Sequence, residues 1–192
     1  VTGVQTCALP IYTKDQIIKK AFDLVDKEGI EQLSIRRIAK DLKCSIAPIY
    51  ANFKDFNELR NELISVINLK ALELAKQVKT GNPLKDIGSA SIHFAIKHPK
   101  LFQDYIFGKY TFEENDEMNE FVIKSISEDY QLSTLSKNEV INYLDKIRIY
   151  QIGLSILASS QSMNGHTEDE LNELLEEVSQ DILYAMKNRK EK

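Results

Sequence analysis

Between Ser34 and Lys54 the chain holds residue types that grip a nucleic-acid duplex. There are hydroxyls at Ser34 and Ser45, guanidinium groups at Arg36 and Arg37, a phenol at Tyr50 and an ammonium at Lys54. Cations and short donors along one surface satisfy phosphate oxygens, and such contacts fix register on a duplex. Base identity is read separately, at the edges of the base pairs. Ile46 and Ala47 offer apolar contact there, suited to thymine methyl groups, whereas an arginine fork engages guanine through two hydrogen bonds. Each residue also has a plainer reading: Ser34 as a helix cap alone, Arg36 or Arg37 as a solvated charge, Tyr50 as surface packing.

The charge distribution agrees with that chemistry although the total does not. Formal net charge is −4, which by itself disfavours nucleic acid. Residues 13–60 nevertheless hold ten Lys/Arg against eight Asp/Glu, and residues 61–192 hold fifteen against twenty-one. From Leu33 to Lys54 there are five basic residues and one acidic residue, Asp41. The basic surface is local.

Positioning these side chains requires helices. Apolar residues make up 43% of the 192-residue chain, Gly and Pro are few, and period-two alternation is hard to find, which points to an all-α fold. Thr13-x-x-Gln16 is a capping box that opens a first helix with Ile17, Ala21, Leu24 and Val25 as its stripe, and Gly29 ends it. Ser34 caps a short second helix, with Ile35, Ile38, Ala39 and Leu42 on one face. Ser45 is expected to cap a third, with Pro48 in its first turn and Ile49 and Phe53 turned inward. Asp55-x-x-Glu58 opens a fourth that runs to about Lys79, and a fifth spans from Pro83 to the Lys97–Pro99 break. A helix is expected around Phe121 to Ile126. Ser136-x-x-Glu139 and Thr167-x-x-Glu170 start the last two helices, separated by Asn164-Gly165.

Two short helices around a three-residue turn, with basic residues outside, make a helix-turn-helix. Residues 13–60 resemble the DNA-binding head of the TetR family of transcriptional regulators. The resemblance is carried by "AFDLVDKEGIEQLSIRRIAKDL", by the small-residue turn with Ser45, and by "APIYANF", whose Tyr and Phe are spaced as in the family. "HFAIKHPKLFQDYIFG" is similar to a segment common in the bodies of these regulators. The resemblance implies a three-helix head over 13–60 and a larger helical body over 61–192 for effector binding and dimerisation. It implies a dimeric repressor released from a palindromic operator by a small molecule, and no cofactor is expected; two cysteines without a disulfide framework point to a reduced, cytoplasmic setting. It places Arg36 where family members often reach a base.

Two departures stand out. Lys43 occupies a turn position where the family usually has Gly. A side chain in the left-handed region costs on the order of 1 kcal/mol there. Phe56 stands where the family often carries a phosphate-contacting Lys, a role left to Lys54. Cys44 reads as core, and with Cys7 it forms neither a disulfide framework nor a metal spacing.

The resemblance implies an effector cavity in the body, for which His93, Tyr105, Tyr143, Tyr150 and Met163 are the expected lining. The aromatic content suggests an apolar or aromatic effector. The last two helices carry apolar residues on more than one face, so one face meets the chain's own core and another a second copy. Ile149, Ile152, Ile156, Leu171, Leu174, Leu175, Val178 and Ile182 are the expected dimer contacts.

Two other readings compete. One is a DNA-binding regulator of the same fold that takes no small molecule and works through a protein partner. The other is an enzyme, which the sequence disfavours. It has no Glu-x-x-His pair, no phosphate-binding or dinucleotide fingerprint, and no ligand spacing among His93, His98 and His166. No apolar run approaches the roughly 18 residues of a membrane span. Residues 1–12 carry no charge and no helical period, and they resemble translated adapter read-through. They are expected to be a non-native or disordered extension, or else a flexible arm.

Overall fold

The computed structural model describes residues 12–80, 82–110, 120, 123–124, 126–127, 129–160 and 166–188. It is built of helices, with no strand among the described residues. The expected extension over residues 1–12 therefore lies outside the description except for Tyr12. So do Met163, the Asn164-Gly165 break and most of the helix expected around Phe121. The chain divides into two compact units, one up to Ile67 and one from Asn68 on.

In the N-terminal unit, α1 spans Lys14–Glu28 and is opened by the Thr13–Gln16 capping box. Gly29 closes it with φ 93°, and its N–H donates to the Val25 carbonyl at 2.8 Å. A 3-10 turn over Ile30–Gln32 leads to α2, Ile35–Asp41. Lys43 follows at φ 55°, the left-handed residue of the turn, and the Cys44 N–H reaches back to the Ala39 carbonyl at 3.0 Å. That bond satisfies a carbonyl at the end of α2, which is why the chain accepts strain at Lys43. The third helix, α3, is Ala47–Tyr50.

Ser45 does not cap α3. The residue before the helix is Ile46, already right-handed at φ −72° and ψ −16°, and no side chain makes a cap bond there. A capping side chain reaches back from an extended residue, and Ile46 is neither extended nor polar. Ile17, Val25, Ile38, Ile49, Phe53, Leu59 and Leu63 form the buried interior of this unit. Cys44, expected in the core, is only half-buried.

Tyr12 belongs with the head although the sequence grouped it with the extension. Its hydroxyl donates to the Leu42 carbonyl at 2.6 Å. Asn52 ties it further, its amide donating to the Tyr12 carbonyl at 3.1 Å and the Pro48 carbonyl at 2.8 Å.

Helix α4, Phe56–Gln77, passes from the first unit into the second. The Glu58 N–H donates to Asp55 Oδ1 at 2.9 Å, as the capping pattern requires, but the Glu58 carboxylate returns to the N–H of Lys54. In the C-terminal unit follow α5 Pro83–Lys97, α6 Pro99–Ile106, α7 Tyr130–Ser133, α8 Lys137–Ser159 and α9 Glu168–Asn188. Asn82 caps α5, Ser136 and Glu139 form a box at α8, and Thr167 and Glu170 bond reciprocally at α9.

Helices α5, α8 and α9 pack on one another around Ile92, Leu154, Leu171 and Leu175. A second cluster joins Leu132, Tyr143, Leu183 and Met186. Gly88 lets α5 and α9 approach, because a Cβ there would lie 2.6 Å from Leu175 Cδ2. This packing corrects the expected dimer surface. Leu171 and Leu175 are buried in their own unit and present nothing to a second copy. Ile149, by contrast, is 73% exposed on α8.

Candidate nucleic-acid interface and effector cavity

Helix α3 and the turns that flank it bring together most of the residues singled out for duplex contact. Ser45, Ile46, Ala47, Tyr50 and Lys54 are all exposed, with Ile46 at 45% and Tyr50 at 52%. The reason is local. Ile49 and Phe53 take the inward positions and are buried, so residues one step from them on the helix face out. An isoleucine and a tyrosine left half in water next to Lys43 and Lys54 have no role in the core of this unit. Ile46 and Ala47 present methyl groups, and Tyr50 a phenol.

On α2 the two arginines part company. Arg36 is exposed. Arg37 is turned back: its Nη2 lies 2.6 Å from Glu28 Oε1 and its Nε 3.3 Å from Asp41 Oδ2. The hydrogen bond that Arg37 donates to Glu28 and the charge of the same carboxylate raise the Arg37 pKa. Local spacing does not separate them, because Glu28 lies nine residues away on another helix. Ser34 is exposed, and its Oγ accepts the Arg37 backbone N–H at 3.2 Å, as a cap does. Phe56 is half-buried at the start of α4.

The C-terminal unit holds a cavity of about 890 Å³ that is partly open to solvent. Tyr105 and Tyr143 line it, with Phe94, Phe102, Ile147 and Leu183 among the apolar walls. The Tyr143 hydroxyl pairs with Ser179 Oγ at 2.6 Å. Burial raises the Tyr143 pKa, the Ser179 hydrogen bond pulls it back in part, and the phenol is neutral at ordinary pH. Gln151 donates to the hydroxyls of Ser91 and Ser155.

The other expected lining residues lie elsewhere. His93 Nδ1 sits 2.8 Å from Glu168 Oε1, beside a separate, polar depression of about 560 Å³. Tyr150 packs half-buried against the Ile92–Leu154 cluster. Met163 is outside the described residues. Sequence reasoning missed Asn68, Ser91, Gln151 and Ser179 in the cavity wall. Its weighting toward aromatics overlooked short polar residues on helix faces, whose spacing carries no distinctive signal. Among the described residues no group of three or more His, Cys, Asp or Glu side chains is placed to hold a metal ion, and no helix is long and apolar enough to cross a membrane.

No family model and no curated protein matches the chain. Solved structures do. The apo form of ActR from Streptomyces coelicolor is similar with a TM-score of 0.60 at 18% identity, over 93% of this chain and 97% of that one. A transcriptional regulator from Rhodococcus sp. Rha1 is similar with a TM-score of 0.64 at 16% identity, over 91% and 97%. A variant of TetR from Acinetobacter baumannii, solved in complex with minocycline, is similar with a TM-score of 0.59 at 14% identity, over 92% and 97%.

Proposed function

We propose that this chain, which has the all-helical fold of the TetR-type transcriptional regulators, is a sequence-specific DNA-binding regulator. In this reading it is a dimeric repressor that leaves a palindromic operator when a small apolar or aromatic effector enters the C-terminal cavity. The observation that carries the DNA-binding part is the exposure of Ile46 and Tyr50 beside exposed cations, over a fully used core. Ser34, Arg36, Ser45, Ile46, Ala47, Tyr50 and Lys54 supply the contacts. Ser34, Tyr50 and Lys54 serve phosphates, Ile46 and Ala47 meet base methyl groups, and Arg36 reads a base edge. Arg37 braces the head from behind.

The cavity supports a small-molecule signal over a purely protein-borne one. Its volume lies in the range that holds drug-sized ligands, and its walls are largely apolar with a few fixed polar groups. The effector acts by favouring one spacing of two heads over another, and only one spacing fits successive major grooves. The second copy meets Ile149 together with the half-buried Ile152, Ile156, Leu174, Val178 and Ile182 of α8 and α9.

Selection of bound sequences from a random duplex pool tests the reading. A palindromic consensus is expected, with binding that weakens as salt rises. The double variant Tyr50→Ala/Lys54→Ala should weaken binding to all duplexes and flatten the salt dependence. A pool that yields no consensus would sink the proposal.

A further inference from the structure

We infer that the cavity of the C-terminal unit takes an amphipathic monoanion, an apolar body ending in one carboxylate, and that the Arg148 guanidinium receives the carboxylate where the cavity opens. This deepens the effector reading above and rests on it.

Among the described residues, five charged side chains line the cavity: Lys85, Asp129, Asp145, Arg148 and Glu176. Three of them are engaged. Lys85 pairs with Glu176 at 3.5 Å. Asp129 accepts the Asn82 side-chain amide at 3.0 Å and two backbone N–H groups of α7. Asp145 and Arg148, both on α8, are exposed, and neither is held in an ion pair among the described residues.

Helix geometry separates these two. Successive residues turn by about 100°, so Arg148 stands about 100° round α8 from Ile147 and Asp145 about 160°. Ile147 packs against both apolar clusters of the unit and marks the inward direction. Asp145 therefore sits on the outer side, toward water. Arg148 shares its row with Ile141 and Ser155, two turns to either side. Ile141 is 48% exposed, whereas Ser155 is fully buried and takes a hydrogen bond from Gln151 of the cavity wall. The row runs from solvent to interior with Arg148 between. Ile123 also lines the cavity and is 67% exposed. An unpaired cation on an apolar rim, above apolar walls, suits a molecule that is apolar at one end and anionic at the other.

The alternatives each meet a cost. An uncharged ligand lying over Arg148 would strip water from the guanidinium and return nothing. An ammonium would meet like charge. A carboxylate takes two parallel N–H···O bonds from the planar fork. The carboxylates of the wall oppose it little, because those of Glu176 and Asp129 are engaged and that of Asp145 is screened by water.

The probes are 1-naphthoate, ionised at neutral pH, the uncharged 1-naphthamide of nearly the same shape, and the cationic 1-naphthylmethylammonium. Their binding to the full chain is measured by equilibrium dialysis. 1-Naphthoate should bind about tenfold more tightly than the amide, the order expected of a charge-assisted bidentate contact. The ammonium should bind most weakly. In Arg148→Gln the preference for naphthoate over the amide should fall to about twofold or less, while binding of the amide is unchanged.

Equal binding of naphthoate and amide to the unaltered chain would overturn the inference, and that comparison needs no variant to fold. An undiminished preference in Arg148→Gln would do the same. So would no binding of naphthoate at millimolar concentration, or tightest binding by the ammonium, which would give the site to Asp145. None of these outcomes touches duplex selection. A chain that prefers naphthoate through Arg148 but selects no duplex sequence keeps the anion site and loses the regulatory reading.

Discussion

Arg37 and Glu28 form a closed contact across the head: the guanidinium Nη2 stands 2.6 Å from the carboxylate oxygen. Glu28 is the last residue of α1, and Asp41, which takes the same guanidinium through Nε, is the last residue of α2. One side chain thus ties two helix ends together, and its neighbour Arg36 is left in solvent.

The two arginines should therefore fail differently. Arg36→Ala is expected to leave the fold intact and relax preference at one base position, by about 1–3 kcal/mol if a bidentate contact is lost. Arg37→Ala is expected to lower the melting temperature of the head without altering the selected sequence. Thermal melts and parallel duplex selections on both variants check this. The reverse pattern would exchange the two roles.

Lys43→Gly should stabilise the protein. Lys43 holds φ 55°, where a Cβ is strained and glycine is not. Relief of the strain is partly offset by the greater freedom of glycine in the unfolded chain, which leaves a gain of about 0.5–1 kcal/mol. Urea unfolding monitored by circular dichroism measures it. A loss of stability would mean that the lysine side chain has a structural contact of its own.

Exposed and buried apolar residues of the last two helices should separate assembly from folding. Ile149→Asp is expected to shift the protein toward monomer at low micromolar concentration while its helical content is unchanged. Leu175→Ala opens a hole between α5, α8 and α9 and should cost about 2–5 kcal/mol of folding stability. Sedimentation velocity and denaturant titration distinguish the two. Unchanged association in Ile149→Asp would remove α8 from the dimer surface.

Alkaline titration should find late tyrosines. Burial raises the pKa of both Tyr143 and Tyr110, and the Tyr110 hydroxyl also donates to the Leu101 carbonyl at 2.8 Å. For an acid whose folded pKa is raised, the stabilisation is complete below the unfolded value. It is lost as pH rises through the folded one. Absorbance at about 295 nm follows tyrosine ionisation, which for an ordinary phenol falls at about pH 10. Tyr143 and Tyr110 should follow at higher pH, together with unfolding. Tyr143→Phe should remove one late step.

Much of the framework was legible in the residues. Capping boxes at Thr13, Ser136 and Thr167 fixed where helices begin, because a cap is a contact within four residues and is written in local spacing. The stripes through Ile17, Ala21 and Val25 and through Ile49 and Phe53 marked the core of the head for the same reason. Position along a helix fixes facing, and so the outward set of Ile46, Ala47, Tyr50 and Lys54 followed. What the residues did not disclose depends on partners distant in the chain. Arg36 and Arg37 are equivalent until Glu28 is brought from another helix to one of them. Leu171 and Leu175 belong to the same stripe as Leu174 and Val178, and only the approach of α5 at Gly88 decides which of them are closed off. Asn68 is an ordinary helical asparagine in the sequence. Its burial, with no hydrogen-bond partner for Oδ1 among the described residues, is decided by tertiary packing, a property that no single segment contains.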